Sequence, residues 1–573
     1  MESPFASKLG TPFVPSDEEA LEIKKILDHH TPKLAWISSE IARVKALYEE
    51  LENQYKELAD DMDAHRRLLS LLRRDLLPAD VLQEIFLSCL PTSHDSIITK
   101  GEAPTLLTQV CGGWRRIALN TPRLWASIHI PIPSINAPIP RAPADQLLYE
   151  MALDLRMTNR VTAIREWLSR SNDCPLSFTF GSDPTMVGPY RHCDDIISLL
   201  LRQSTRWCRV SVSASKNYVA MFMALDGRQM PLLESITISE TNLGGWGEPL
   251  SNADIHPSQL SLFETPNLRT LKVSYLTQDI ASLPVRWATL SHLSLYSNLG
   301  PLEVPQVFDL LKACTRLVSF QLITNSPMYT TSHINFDLPT DRVVSLPFLE
   351  KLSLAYHTKV VYPDIFDSME LPALREIDYH WPHRSSVQPP LLSLLRKQGH
   401  TITTLATNIV VFSEENFRSC LQHCPHLKKL IIVEVRFYPM LYFGDEDTTA
   451  TGTGLLESLS SPSSSGEYLC PELEVLESSM TILSSDQDVL DFLARKQAGT
   501  FPTLSKMKSL RLVFGREQEQ PMAESVRPYV EEGLDLGLLY QFRYDQGMSM
   551  YDHLPNDFDI RSTTSRGYGP ALF

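Results

Sequence analysis

The sequence predicts an α/β repeat protein with a helical N-terminal region, on three observations. Apolar residues recur as heptads through residues 34–69, two short apolar segments with helical spacing lie between Leu77 and Trp125, and from about residue 230 the phrase L-x-x-L-x-L returns at irregular intervals. The first two patterns have a period near 3.6 and belong to helices, whereas the third alternates and belongs to strands. With 573 residues, 43% hydrophobic and 21% charged, the chain has enough apolar material for a sizeable core divided over two or more domains.

Residues 1–30 are expected to be a flexible N-terminus. They lack the basic-then-apolar layout of a signal peptide, and aliphatic runs such as Ile196–Leu201 are too short to span a bilayer, so a cytoplasmic or nuclear protein with no membrane partner is expected. Nine cysteines without framework spacing read as buried thiols of a reducing compartment. A net charge of −16 argues against nucleic acid as a partner, because phosphate binding rests on clustered Lys and Arg.

Residues 31–72 form the predicted long amphipathic helix. Leu34, Ile41, Tyr48, Tyr55, Met62 and Leu69 fall at position a, and Ile37, Val44, Leu51, Leu58 and His65 at d. Glu40 with Lys45 and Asp61 with Arg66 stand at g and the following e, where opposite charges pair between parallel helices. The stripe is satisfied by a homodimer through residues 34–69, by a single helix laid on the rest of the chain, or by a helix folded back as a hairpin.

Between residues 75 and 128 the chain reads LPADVLQEIFLSCLP, a polar insert, then APTLLTQVCGGWRRIALNTPRLW. Pro78 suits a helix start, and Val81, Leu82, Ile85, Phe86, Cys89 and Leu90 make a stripe wider than one neighbour requires. Pro104 is expected to open the second segment, with Leu107, Val110, Cys111, Trp114 and Ala118 on one face; Gly112 and Gly113 predict a kinked or short helix. Apolar surface beyond the needs of so small a unit points to a protein partner. The two segments in this order resemble the F-box. The resemblance implies a helical unit that packs on the Skp-family adaptor, and through it cullin, in SCF (Skp, cullin, F-box) ubiquitin ligases. Leu77, Pro78, Val81, Leu82, Ile85 and Phe86 would form the first contact segment, and Val110, Cys111 and Trp114 the second. The alternative is an ordinary helical hairpin.

Residues 129–146 are Pro-rich and predict an extended linker. From 147 to 515 a solenoid is expected. Its phrases MPLLESITI, TPNLRTLKV, WATLSHLSL, CTRLVSFQL, LPFLEKLSL, LPALREIDY, CPHLKKLII, CPELEVLES and LSKMKSLRL start their skeleton at Leu233, Leu268, Leu290, Leu317, Leu349, Leu374, Leu427, Leu473 and Met507, with a degraded copy at Ile402 and Leu405. Leu-rich alternation at this spacing resembles leucine-rich repeats of an irregular type, which implies one short strand per repeat in a parallel sheet backed by helices. VPQVFDLLKAC, PPLLSLLRKQ and SEENFRSCLQHC have helical spacing just before strand phrases. CPLSFTF and RWCRVSV read as divergent first strands, with helices over Ala163–Ser171 and Asp194–Gln203.

Thr448–Glu467 predicts a flexible insertion, and residues 516–573 a C-terminal cap and tail with a closing helix over Pro528–Phe542. Cys420, His423, Cys424 and His426 have the residue types for zinc, but Cys424 onward reads as the lead-in to a strand. The metalloprotease, P-loop and hydrolase motifs are missing, so no catalytic residue, metal or cofactor is assigned. The expected function is a substrate-recognition adaptor of an SCF-type ligase with an unidentified protein target; the alternative is a repeat scaffold without ubiquitin transfer.

Overall fold

A computed structural model of the chain describes residues 4–5, 10, 13–74, 77–132, 143–182, 191–240, 260–274, 280, 283–297, 304–324, 343–356, 365–380, 390–409, 412–433, 454–462, 466–497 and 504–540. Two compact units emerge, residues 1–88 with 111–113, and residues 89–110 with 114–573. The first is dominated by α1 (Asp17–Arg74), a helix of 58 residues. Its start is a capping box: Glu19 N–H donates to Ser16 Oγ at 3.4 Å and Ser16 N–H to Glu19 Oε2 at 2.9 Å, while Asp17, Glu18 and Glu19 face the positive end of the helix dipole. Helix α2 (Ala79–Ser88) follows, one residue later than expected, because the Pro78 carbonyl takes the first helical hydrogen bond from Leu82 N–H at 3.1 Å.

The second segment of the F-box-like stretch is not one helix. Residues 104–106 form a turn, then α3 (Leu107–Val110) stops at Cys111 and α4 (Gly112–Leu119) begins. Both glycines therefore sit in the opening turn of α4, where a missing Cβ costs little, and not in a helix interior.

The repeats form β1 (Ser127–Ile132), β2 (Leu176–Ser182), β3 (Trp207–Ala214), β4 (Ser235–Glu240), β5 (Thr270–Ser274), β6 (His292–Ser297), β7 (Ser319–Thr324), β8 (Val344–Ser345), β9 (Lys351–Tyr356), β10 (Met369–Glu370), β11 (Glu376–His380), β12 (Thr404–Thr407), β13 (Lys429–Ile432), β14 (Val475–Thr481), β15 (Ser509–Phe514) and β16 (Asp535–Tyr540). Fourteen of them make one parallel sheet in chain order, and β8 pairs separately with β10. Every L-x-x-L-x-L phrase, the degraded copy at Ile402 included, supplies a strand. Helices α5 (Pro143–Arg170), α6 (Arg191–Leu201), α7 (Lys216–Met223), α8 (Val304–Ala313), α9 (Pro390–Gln398), α10 (Glu414–Gln422), α11 (Leu455–Ser460), α12 (Asp486–Gln497) and α13 (Ala523–Glu531) connect successive strands. This arrangement resembles a leucine-rich-repeat solenoid.

Register builds the core. Val210, Ile236, Leu271, Leu293, Phe320, Leu352, Ile377, Leu405, Leu430, Leu476 and Leu510 stand side by side across eleven strands, none more than 5% exposed. Burying each contributes about 1.5–3 kcal/mol, and a one-residue slip would turn the whole row to water, so the apolar alternation pins the register. A turn sets each strand's start. In six repeats Pro stands two residues before the first Leu (Pro231, Pro266, Pro347, Pro372, Pro425, Pro471), a position for which its fixed φ suits the turn. The residue before that Pro accepts the Leu N–H in five of them, as in Leu427 N–H to the Cys424 carbonyl at 3.2 Å.

Several expectations give way here. Ile130–Ile132 extend β1 instead of starting the linker, and residues 133–142 of that linker lie outside the described residues. The helices expected over Ala163–Ser171 and Asp194–Gln203 are the last part of α5 and a shifted α6. In the insertion over Thr448–Glu467, Leu455, Leu456 and Leu459 of α11 are buried, so this part is packed core. The closing helix ends at Glu531, and after Gly533 (φ 101°) the chain turns into β16; residues 541–573 of the expected tail lie outside the described residues.

Candidate protein-docking surface

On α2 the apolar residues divide by face. Leu82 and Phe86 are buried at 4% and 0% exposure, while Leu77, Val81 and Ile85 are 44%, 41% and 41% exposed. Cys89 is exposed as well. Within α2, spacing of four residues places Val81 and Ile85 one turn apart on one line, and Leu77 and Cys89 flank the helix at its two ends. Two of the six residues expected to contact a partner are thus core residues of the helix, and exposed Pro78 stands at its N-terminus, its carbonyl accepting the first helical hydrogen bond.

In the second segment Val110 is 40% exposed beside Leu106 at 44%, Cys111 and Trp114 are half-buried, and Leu107 and Ala118 are buried. Interruption at Cys111 is why the predicted single face does not form. The motif's closing Leu124 and Trp125 are fully buried: Trp125 donates its indole N–H to the Ala118 carbonyl at 2.9 Å and meets Trp167 of α5 edge-on at 4.7 Å between ring centroids. The final Trp therefore fixes α4 to the first repeat.

The polar insert also has a structural task. Asp95 accepts from Ser127 Oγ of β1 and Thr179 Oγ1 of β2, each at 2.7 Å, and His129 N–H donates to the Ser96 carbonyl at 2.8 Å. Residues 95–97 thereby cover the outer edge of β1, which would otherwise present unpaired backbone groups. Sequence reading missed this because edge protection is a tertiary property.

The solvent-facing rows of the sheet change character along the chain. Ser127, Ser211, Ser235, Thr237 and Thr270 carry hydroxyls in the first half, and charges dominate the second. Those charges neutralise each other across strands: Lys351 with Glu376 at 3.3 Å, Lys429 with Glu477 at 3.3 Å, Arg511 with Asp535 at 2.8 Å.

Ser353 Oγ donates to Asp378 Oδ2 at 3.0 Å, and His380 pairs with the other oxygen of the same carboxylate. The hydroxyl thus meets the acid and not the imidazole, so the nucleophile-to-base hydrogen bond of a triad is not formed. Cys420 and Cys424 are buried, whereas His426 is exposed and pairs with Glu472 at 2.7 Å, so the zinc-like residues diverge. No group of three or more His, Cys, Asp or Glu among the described residues is placed to hold a metal, and no described helix is long and apolar enough to cross a membrane. An apolar cleft of about 50 Å³ lined by Phe412, Phe417, Leu421 and Leu455 is small beside ligand pockets of roughly 300–1,000 Å³.

No protein-family model and no curated protein matches the chain. Among solved structures, an internalin (InlF) from Listeria monocytogenes str. 4b F2365 aligns over 55% of this chain and 70% of its own, with 14% sequence identity and a TM-score of 0.27. Agreement that loose carries no weight, and the repeat architecture stands on this chain's own strands and register.

Proposed function

We propose that this chain is a non-catalytic adaptor that docks on a Skp-family protein, and through it on cullin, while its repeat unit holds a protein target for ubiquitin transfer. The carrying observation is the two-faced α2: Leu82 and Phe86 already satisfy its core, yet Leu77, Val81 and Ile85 remain in water. Exposed Leu106 and Val110 offer a second apolar strip. Leu77, Val81, Ile85 and Val110 are among the residues at which the resemblance to the F-box puts adaptor contacts, which supports the reading. Leu82 and Phe86 then act as the helix's own core and not as contact residues. The chain's part in the chemistry is proximity, raising the effective concentration of a target lysine near the ligating machinery.

The test is co-purification of Skp adaptor and cullin with the full-length chain. Val81→Glu combined with Ile85→Glu, both exposed, is expected to abolish recovery while thermal unfolding stays unchanged. Undiminished recovery would sink the adaptor assignment. Recovery of the adaptor without cullin would favour a scaffold that transfers no ubiquitin.

A further inference from the structure

Helix α1 leaves an unusually long apolar stripe in water. Its a residues Leu34, Ile41, Tyr48, Tyr55 and Met62, and its d residues Ile37, Val44, Leu51 and Leu58, are between 47% and 76% exposed. Soluble chains do not keep apolar surface of this extent uncovered without a partner. The stripe begins just past Pro32, which lacks the N–H for a bond to the preceding turn, and runs roughly 45 Å from Leu34 to beyond Met62 at 1.5 Å per residue.

We propose that a second copy of this chain covers the stripe, with the two α1 helices parallel and in register. Charge complementarity selects both the occupant and the direction. In the parallel pairing each Glu40 at g meets Lys45 at e of the other copy, and each Asp61 meets Arg66, giving four attractive contacts by symmetry. The intervening pairs, Leu47 with Glu52 and Gln54 with Ala59, bring no like charges together. An antiparallel pairing that keeps the same side chains in the seam sets a over d, so Met62 faces Ile37 and Glu40 faces Asp61, two carboxylates opposed twice, which offsets the attraction of Lys45 for Glu52 and leaves no net gain against the four attractive contacts of the parallel pair. In the single helix Arg43 donates to Glu40 and Arg66 to Asp63. Exposed pairs of this kind hold their partners weakly, so they yield to the intermolecular ones. The inference rests on α1 alone, and its failure would leave the adaptor proposal untouched.

Light scattering of the full-length chain should give twice the 64.8 kDa chain mass. Lys45→Glu with Arg66→Glu should weaken association at least tenfold, and adding Glu40→Lys with Asp61→Lys should restore it, which a merely misfolded helix would not do. Under mild oxidation, Ile37→Cys chains should crosslink to each other beyond the background of wild type. A monomer at all concentrations, a dimer indifferent to Lys45→Glu with Arg66→Glu, or crosslinking of Ile37→Cys chains only when mixed with Met62→Cys chains would each overturn the proposal.

Discussion

At the scale of single residues, the glycines that matter are not those the pattern drew attention to. A Cβ on Gly399 would lie 2.2 Å from the His423 carbonyl oxygen, which is backbone and cannot step aside, whereas one on Gly112 would meet nothing within 4 Å. Gly399→Ala is therefore expected to destabilise by about 1–3 kcal/mol and Gly112→Ala to stay within about 0.5 kcal/mol of wild type, as read from denaturant midpoints. Lys496 is a second such residue. It is 1% exposed, donates to the Leu473 carbonyl at 3.2 Å, and burial pushes its ammonium down to about 8. The unfolded chain keeps this lysine protonated up to about 10.4, so between pH 8 and that value the unfolded state binds more protons and stability rises with pH. Lys496→Met should be more stable than wild type at pH 7, by up to about 3 kcal/mol, with the gap closing between pH 8 and 10.4. A gap that stays constant over that window would rule out the buried ammonium as its cause. Buried thiols act in the opposite sense: burial raises Cys193 to about 11 and Cys314, Cys420 and Cys424 to about 12, so their contribution is complete below about pH 8.5 and fades as pH climbs toward 12.

At the scale of elements, the C-terminal strand depends on one carboxylate. Asp486, fully buried at the start of α12, accepts from Arg516 at 2.8 Å, Tyr540 Oη at 2.9 Å and the backbone N–H groups of Glu519 and Gln520 at 2.8 and 3.1 Å. Burial raises its pKa, but these donors together outweigh it and hold the carboxyl below its ordinary range. Arg516 in turn lies over Phe514 and Tyr540, which stack at 5.0 Å. Asp486→Ala takes the acceptor from Tyr540 Oη and two backbone N–H groups and leaves Arg516 its longer pairing with Glu519 at 3.5 Å, at a cost of about 3 kcal/mol, and should free α13 and β16 first. Hydrogen exchange would show lost protection at 535–540 before 429–432; uniform loss would mean that β16 is not an independent closing element. The two faces of α2 separate in the same way. Leu82→Ala or Phe86→Ala should destabilise by about 2–5 kcal/mol, in contrast to the exposed Val81 and Ile85, whose replacement should leave thermal unfolding in place.

For the whole molecule, the boundary between helical region and repeats is not at the Pro-rich stretch. Strand β1 and its cover at 95–97 belong to the sheet, so a fragment beginning at residue 146 leaves the edge of β2 bare, with unpaired backbone groups along Leu176–Ser182. A fragment of residues 89–573 is expected to be monodisperse, whereas 146–573 should associate through that edge or unfold at lower temperature. Equal behaviour of the two in sedimentation and thermal melts would show that β1 adds nothing to the sheet's closure.

Period and punctuation alone determined most of the elements. The alternation of Leu positions marked ten strands, including the faint one at Ile402, because each needs a buried apolar row whatever its neighbours are; the heptads from Leu34 marked the body of α1, but its first turns from Asp17, capped by Ser16 and Glu19 and running through Pro32, replace the flexible N-terminus expected over residues 1–30. Strands β1 and β16 escaped, since neither carries the repeated phrase and each is a strand only because a neighbour offers it hydrogen bonds. The candidate site divided along the same line. Composition and spacing identified Leu77 through Phe86 as one apolar group, but only packing could decide that Leu82 and Phe86 turn inward while Leu77, Val81 and Ile85 face water. A sequence carries the periodicity of a helix; which arc of that helix becomes core is settled by what the rest of the chain brings against it.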